Sequence, residues 1–138
     1  MRTPLVTALA GLLLLAGCGG SGDGKGGGGK GKTVTVAADQ TIEVSADEYK
    51  FGPSNIVVNA TGDAPAEVRL SLTNDGGLAH DLHVTKGGED LGGTPIFGPG
   101  MTKDGSARLG PGKYEFICTV GNHADLGMKG TLTVVAPK

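Results

Sequence analysis

The 138-residue sequence contains no tryptophan and has only two cysteines, three histidines and three methionines. Three histidines are too few for a trinuclear copper centre or a multi-metal hydrolase site. Two cysteines are too few for a four-cysteine zinc site or an iron–sulfur cluster held by four thiolates. The formal net charge of −2 gives no strong basic field for nucleic acid, and the G-x-S-x-G nucleophile motif is missing. These absences exclude several large classes of function.

Glycine, in contrast, is abundant, and eleven of the 27 glycines lie in residues 1–32. Arg2 precedes an apolar run at residues 5–16, which is shorter than the roughly 20 residues of a membrane-spanning helix. The pattern predicts a secretory signal peptide over residues 1–17. Residues 15–18 read LAGC and resemble a bacterial lipobox, which implies cleavage before Cys18 and lipidation of that residue.

Residues 19–32 read GGSGDGKGGGGKGK, a composition that predicts a flexible tether. Its three lysines and one aspartate either attract anionic lipid headgroups weakly or only keep a spacer soluble. The expected organisation is a signal peptide (1–17), lipidated Cys18 with the tether (18–32) and one folded domain (33–138). Such a protein is expected outside the cytoplasm, anchored on the periplasmic or cell-surface face of a bacterial membrane.

The domain is predicted to be all-β. Short runs rich in β-branched residues alternate with Gly, Pro and Asn-Asp turn signals, and no segment carries a helical apolar stripe. We expect an antiparallel Greek-key β-sandwich or barrel of about seven to eight strands. A loop of about twenty residues (87–106) fits no element, although a short strand near residues 95–97 is compatible with it. The predicted strands are residues 33–36, 41–46, 56–58, 68–73, 82–85, 113–118 and 131–135.

Four residues form a pattern with metal-binding chemistry. Cys118, His123 and Met128 are spaced as C-x4-H-x4-M between two predicted strands, and His80 lies at the start of another strand. Two imidazoles, one thiolate and a weak thioether are the donor set of a blue-copper site. Zinc sites use Cys, His and carboxylate, so zinc would gain nothing from Met128.

With these residues the sequence resembles the cupredoxin family of type 1 blue-copper proteins over residues 46–136. The resemblance implies one copper ion, with His80, Cys118 and His123 as strong ligands and Met128 as the weak axial ligand. It also implies that Asp81 joins the two ligand loops through hydrogen bonds. Many family members have a proline just before the loop histidine. This chain departs from that pattern, with Asn122 directly before His123.

Each of these residues also has a purely structural interpretation. Cys118 could be a small buried hydrophobic residue, Met128 a core filler and His80 a polar residue at a strand end. A disulfide between Cys18 and Cys118 competes with lipidation and metal binding. His83 is interpreted as a surface or partly packed residue, because three positions along a strand turn its side chain away from that of His80. Met101 is given no role.

A copper ion with four protein ligands leaves no open position for a substrate, so the chain is predicted to carry single electrons and not to be an enzyme. Its expected partners are redox proteins such as a cytochrome, an oxidase or a reductase, and the chain is expected to be a monomer. By the resemblance, His123 lies at the surface. Two alternatives are a copper-buffering or copper-delivery lipoprotein and a metal-free β-sandwich interaction domain. The predicted docking patch around His123 consists of Leu78, Ala79, Ala124 and Leu126.

Overall fold

The computed structural model describes residues 31–138. The predicted signal peptide (1–17), the lipidation of Cys18 and all but the end of the tether lie outside the described residues. In the described region of the chain, no helix is long and apolar enough to cross a membrane. Residues 26–33 match the pattern G-x-x-x-x-G-K-[ST]. Thr33, however, begins a strand rather than the helix that a phosphate-binding loop requires.

Ten strands make up the described domain, and the all-β prediction is confirmed. Each of the seven predicted strands is present, with ends that differ by at most two residues from those predicted. Three further strands, β3, β7 and β8, were not predicted. In chain order the strands are β1 (Thr33–Ala37), β2 (Ile42–Asp47), β3 (Lys50–Gly52), β4 (Asn55–Asn59), β5 (Ala66–Asn74), β6 (His83–Lys86), β7 (Glu89–Gly93), β8 (Thr102–Leu109), β9 (Gly112–Ile117) and β10 (Lys129–Val135).

The strands form one curled, mixed sheet in the order β1-β4-β10-β9-β6-β7-β8-β5-β2-β3. The sheet curls like a half-barrel and brings β3 against β10. The expected antiparallel arrangement does not extend to three pairs of neighbours, because β1 with β4, β4 with β10 and β2 with β5 run parallel. The remaining neighbours are antiparallel, including β9 with β10, whose hairpin carries three of the predicted ligands.

The core lies inside the curl of this sheet. Strand side chains alternate between the two faces, so Ile42, Val44 and Ala46 of β2 all point inward and are at most 3% exposed. Phe116 of β9 is fully buried, and its ring centroid lies 5.3 Å from that of Phe51. Burial of a side chain of this kind contributes about 1.5–3 kcal/mol to the free energy of folding. This packing holds the ends of β9 and β10 in place, where the predicted ligands begin.

Half of the loop predicted over residues 87–106 is strand. β7 and the first half of β8 lie inside it, so the prediction of a structureless segment is wrong. The sequence signal was hidden by glycine, because Gly92 has a φ of +127° and Gly93 and Gly105 pack where no side chain fits. A Cβ atom at Gly93 would overlap the carbonyl oxygen of Leu82. Glycine here permits close strand approach instead of ending the strand.

Candidate metal centre

The hairpin between β9 and β10 brings three of the predicted ligands together. β9 ends at Ile117 directly before Cys118, and β10 begins directly after Met128. The amide of Cys118 donates to the carbonyl oxygen of Met128 at 3.1 Å. The amide of Met128 donates in turn to the carbonyl oxygen of His123 at 3.0 Å. These bonds close residues 118–128, which we call the ligand loop, into a tight turn with its middle folded back toward its ends.

Two glycines allow this turn. Gly121 has a φ of +50° and Gly127 a φ of +106°, values in the left-handed region that residues with a Cβ rarely adopt. Between them the amide of His123 donates to the carbonyl oxygen of Val120 at 3.1 Å. The backbone conformation of these two glycines therefore permits the tight fold of the ligand loop.

His80 is positioned by a second loop, which sequence reasoning did not explain. The buried Asn74 donates from Nδ2 to the carbonyl oxygens of Leu78 at 2.8 Å and Phe97 at 3.2 Å. Its Oδ1 accepts from the amide of Gly76 at 3.0 Å. Asn74 begins the sequence Asn-Asp-Gly-Gly, so the turn signal was visible. Nothing local indicated that its amide group would organise the approach to His80.

The backbone of His80 is held by Phe97. The amide of each residue donates to the carbonyl oxygen of the other, at 3.1 and 3.0 Å. The short strand considered near residues 95–97 is thus reduced to an isolated bridge between these two residues. Its effect on the site is larger than its length suggests, because two backbone hydrogen bonds fix the position of a candidate ligand.

Three donor atoms meet where these loops converge. The Sγ atom of Cys118 lies 3.8 Å from Nδ1 of His80 and 3.5 Å from Nδ1 of His123, and all three atoms lie within 4.8 Å of one another. Metal–thiolate and metal–imidazole bonds of about 2.3 and 2.0 Å at a trigonal angle would place sulfur and nitrogen about 3.7 Å apart. The separations therefore fit one metal ion held by all three residues.

The cluster is shielded from solvent. His80 and Met128 are 0% exposed, Cys118 is 1% exposed and His123 is 8% exposed. Burial raises the pKa of the Cys118 thiol by desolvating the thiolate, so a metal ion would take the place of the thiol proton. Met128 is joined through its backbone to Cys118 and His123, and its role as weak axial ligand stays a prediction.

His123 is less accessible than predicted. The resemblance placed it at the surface, whereas only 8% of it is exposed, although it is still the most exposed of the four candidate ligands. Of the residues predicted to form the docking patch, Leu126 is 50% and Leu78 45% exposed, while Ala79 and Ala124 are half-buried. The two leucines of the predicted docking patch thus stand out into solvent, and docking on this patch stays a prediction.

Asp81 links the two loops in the way that the resemblance implies. The carboxylate accepts from the Thr119 amide at Oδ1, 2.6 Å away, and from the Thr119 hydroxyl at Oδ2. Asp81 is fully buried and follows His80, while Thr119 follows Cys118. A buried carboxylate with these partners ties the positions of the two adjacent ligands to each other.

Two residues of the β2–β3 turn complete the site and were missed from the sequence. Oε1 of Glu48 lies 2.9 Å from Nε2 of His80, and the amides of Gly77 and Leu78 donate to the same oxygen at 3.1 and 2.9 Å. The Gly77 amide first, and then His80, lower the pKa of Glu48 to about 2. Tyr49 meets His123 edge to face, with ring centroids 4.9 Å apart.

His83 lies outside this cluster. Its Nδ1 is 2.8 Å from Oδ2 of Asp90 and its Nε2 is 3.1 Å from the carbonyl oxygen of Thr94. The Gly92 amide and the hydrogen bond with His83 lower the pKa of Asp90. Met101, also given no role, is 45% exposed. Both residues thus have surroundings that differ from those of the four candidate ligands.

No protein-family model and no curated protein matches the chain. Solved structures do match it. The auracyanin of Roseiflexus castenholzii aligns with a TM-score of 0.59 at 23% identity, over 72% of this chain and 99% of that one. Auracyanin B aligns with a TM-score of 0.60 at 26% identity, over 71% and 90%. An azurin of Methylomonas sp. strain J aligns with a TM-score of 0.59 at 19% identity, over 70% and 98%.

Auracyanins and azurin are cupredoxins, and the described domain has their fold. At one end it carries His80, Cys118 and His123 with Met128 beside them, a cluster typical of a type 1 copper site. The resemblance found in the sequence is therefore confirmed. The domain is a cupredoxin-like β-sandwich with a candidate copper centre.

Proposed function

We propose that this chain is a single-electron carrier that holds one type 1 copper ion and alternates between Cu(II) and Cu(I). The observation that carries the proposal is the meeting of three buried donor atoms, Sγ of Cys118 and Nδ1 of His80 and His123, within 4.8 Å on a cupredoxin fold. The similarity to an auracyanin described as a "blue" copper protein supports the same function.

The four candidate ligands would bind the ion with different strengths. Cys118, His80 and His123 would bind it strongly, and Met128 would supply the weak axial thioether. Copper, once bound, supplies the one-electron change of oxidation state. Thiolate and thioether suit Cu(I) and imidazole suits Cu(II), so the mixed set serves both states. The low exposure of all four residues leaves little surface through which a substrate could reach the ion, which favours electron transfer over bond-making chemistry.

Copper addition to the full chain, purified in mild detergent, tests the site. We expect one Cu(II) per chain, an intense thiolate-to-copper absorption band and narrow copper hyperfine splitting. Cys118→Ser should abolish the band, because the thiolate is its source. His83→Ala is the matched control, since His83 lies outside the donor cluster and reaches the site only through Asp81 at 3.7 Å, and it should keep the band. A colourless wild type, or equal copper affinity in wild type and Cys118→Ser, would contradict the proposal.

A carrier must also keep its copper through repeated oxidation and reduction. Cycling the loaded chain with a chemical reductant and oxidant, in the presence of a Cu(I) chelator, distinguishes it from a protein that buffers or delivers copper. We expect the band to return after each cycle with the copper content unchanged. Progressive loss of copper to the chelator would favour delivery instead. The two loops joined by Asp81 and Thr119 support retention, because they constrain adjacent ligands in both states.

We further propose that redox partners dock on the patch formed by Leu78, Ala79, Ala124 and Leu126. What supports this is the exposure of the two leucines, Leu126 three residues after His123 and Leu78 two residues before His80, together with the position of His123 as the most exposed candidate ligand. Short-lived redox encounters use small interfaces, and a compact apolar surface of this kind suits them. Among the described residues no other candidate ligand has comparable exposure, so electrons would pass through His123.

We propose, finally, that a lipid on Cys18 holds the domain at the outer face of a bacterial membrane. The support is the sequence alone: an apolar run, the LAGC motif at residues 15–18 and the glycine-rich stretch that follows. Metabolic labelling with an alkyne fatty acid in a bacterial host tests it. Cys18→Ala should remove the label and the membrane association, whereas Cys118→Ser should keep both. Equal labelling of Cys18→Ala and wild type would contradict the anchor.

A further inference from the structure

We infer that Glu48 is a positioning residue for the copper centre: its carboxylate orients His80 and stabilises Cu(II) relative to Cu(I). The inference rests on the proposed copper function and extends it to a residue that follows β2, remote in sequence from every candidate ligand. Its basis is the 2.9 Å contact between Oε1 of Glu48 and Nε2 of His80.

The contact determines which nitrogen of His80 carries the proton. A carboxylate can only accept hydrogen bonds, so Nε2 of His80 must be the donor. In the neutral ring the lone pair then lies on Nδ1, the atom that faces Sγ of Cys118 at 3.8 Å. Glu48 thus presents His80 to a metal ion with the correct nitrogen free. Hydrogen bonds of this kind also raise the basicity of the coordinating nitrogen.

Glu48 is itself held in place. The amides of Gly77 and Leu78 donate to its carboxylate, and its own amide donates to Oδ1 of Asp47 at 2.8 Å. Gly76 lies so close that a Cβ there would overlap the Glu48 carboxylate. The segment before His80 is therefore wrapped around Glu48. An arrangement this specific fixes the direction from which the negative charge acts on the imidazole.

Two carboxylates lie near the cluster and act on different groups: the buried Asp81 accepts from Thr119, next to Cys118, whereas Glu48 acts on an imidazole. Among the described residues, Glu48 is the one carboxylate within hydrogen-bond distance of a ring nitrogen of His80 or His123. Tyr49, the neighbour of Glu48 in the chain, meets His123 with an uncharged ring. A negative charge next to a metal ligand stabilises the ion of higher charge more strongly. Removing that charge should therefore weaken Cu(II) binding more than Cu(I) binding.

Glu48→Gln in the full chain tests this, because glutamine keeps the shape and an accepting oxygen while it removes the charge. Asp90→Asn is the matched control, since it removes a carboxylate from His83, a histidine outside the cluster. We expect the ratio of Cu(II) to Cu(I) affinity to fall about tenfold in Glu48→Gln, which is a rise of about 59 mV in reduction potential. Asp90→Asn should leave the potential near that of the wild type.

An unchanged potential in Glu48→Gln, or equal shifts in both variants, would overturn the inference. If Glu48→Gln does not fold, nitrogen-15 NMR of the metal-free wild type at neutral pH decides. Protonated Nε2 and unprotonated Nδ1 in His80 support the positioning role, and the opposite tautomer refutes it. A wild type that binds no copper would instead refute the proposed function, and with it the effect on potential, whatever tautomer NMR shows.

Discussion

The two histidines of the candidate copper centre have different surroundings. His80 is completely buried, its backbone is clamped by Phe97 and its outer nitrogen contacts the Glu48 carboxylate. His123 lies in the turn of the ligand loop, is 8% exposed and meets the edge of Tyr49. One side of the site is thus built to orient a ligand, and the other gives a ligand limited access to the surface.

For the proposed electron carrier, this difference would assign two requirements to separate candidate ligands. Small reorganisation between oxidation states needs donors that do not move, which the hydrogen bonds around His80 provide. Exchange with a partner needs a donor near the surface, and His123 comes closest to meeting that need. The two rings are only 5.1 Å apart between centroids, so a single site combines both properties.

Removing each imidazole in turn should show the difference between the two histidines most strongly. We expect His80→Gly and His123→Gly both to lose the thiolate-to-copper band of the loaded chain. Added imidazole should restore it in His123→Gly alone, because the space left near the surface can be reached from solvent while the space left by the fully buried His80 cannot. Absorption titrations with imidazole measure this. Equal recovery of both variants would show that the exposure difference has no functional meaning.

Replacing an asparagine should reduce the free energy of unfolding more on the His80 side of the site than in the ligand loop. Asn74→Ala removes three hydrogen bonds from the buried support of His80 and should cost about 3 kcal/mol of the free energy of unfolding. Asn122→Ala, at an exposed position of the ligand loop, is the matched control and should change it by less than about 0.5 kcal/mol. Urea denaturation of the metal-free chain measures both. Similar losses would mean that the His80 side is no more rigidly built.

On the accessible side, a charge in the docking patch should slow electron exchange. Leu126→Asp and Leu78→Asp are each expected to reduce the rate with a redox partner about tenfold, since a buried charge at a small apolar interface costs more than about 1 kcal/mol. The copper spectrum should not change. Val135→Asp is the control, because Val135 is 40% exposed at the far end of β10. Equal rates in the wild type and both patch variants would refute the proposal that redox partners dock on this patch.

The His123 side of the site could be predicted from the sequence more completely than the His80 side. The ligand loop is continuous, so its Cys, His and Met spacing and its glycines could be interpreted locally, and the structure brings Cys118 and His123 together. The surroundings of His80 are assembled from separate strands. Glu48 precedes it by 32 residues and Phe97 follows in a segment interpreted as loop. Contacts between distant segments leave no local pattern.

The fold shows the same limit. Strands with alternating β-branched residues, such as β2 and β10, were predicted within one or two residues of their ends. β7 reads EDLGG and has no such residue, so only its neighbours define it as a strand. Parallel pairing of β4 with β1 and β10 also depends on tertiary packing. Strand existence was therefore predictable where side chains carry the signal, and strand order was not.

The smallest expected effect concerns the turn that brings His123 back to the cluster. Gly127→Ala should destabilise the chain by about 1–2 kcal/mol, because alanine is strained at a φ of +106°. Gly121→Ala, at a φ of +50°, should cost about 1 kcal/mol. Gly62→Ala is the control, since no atom lies within 4 Å of its added Cβ and its φ is ordinary. Urea denaturation of the metal-free chain ranks the three. A loss at Gly127 no larger than at Gly62 would show that the ligand loop needs no left-handed residue to reach its closed form.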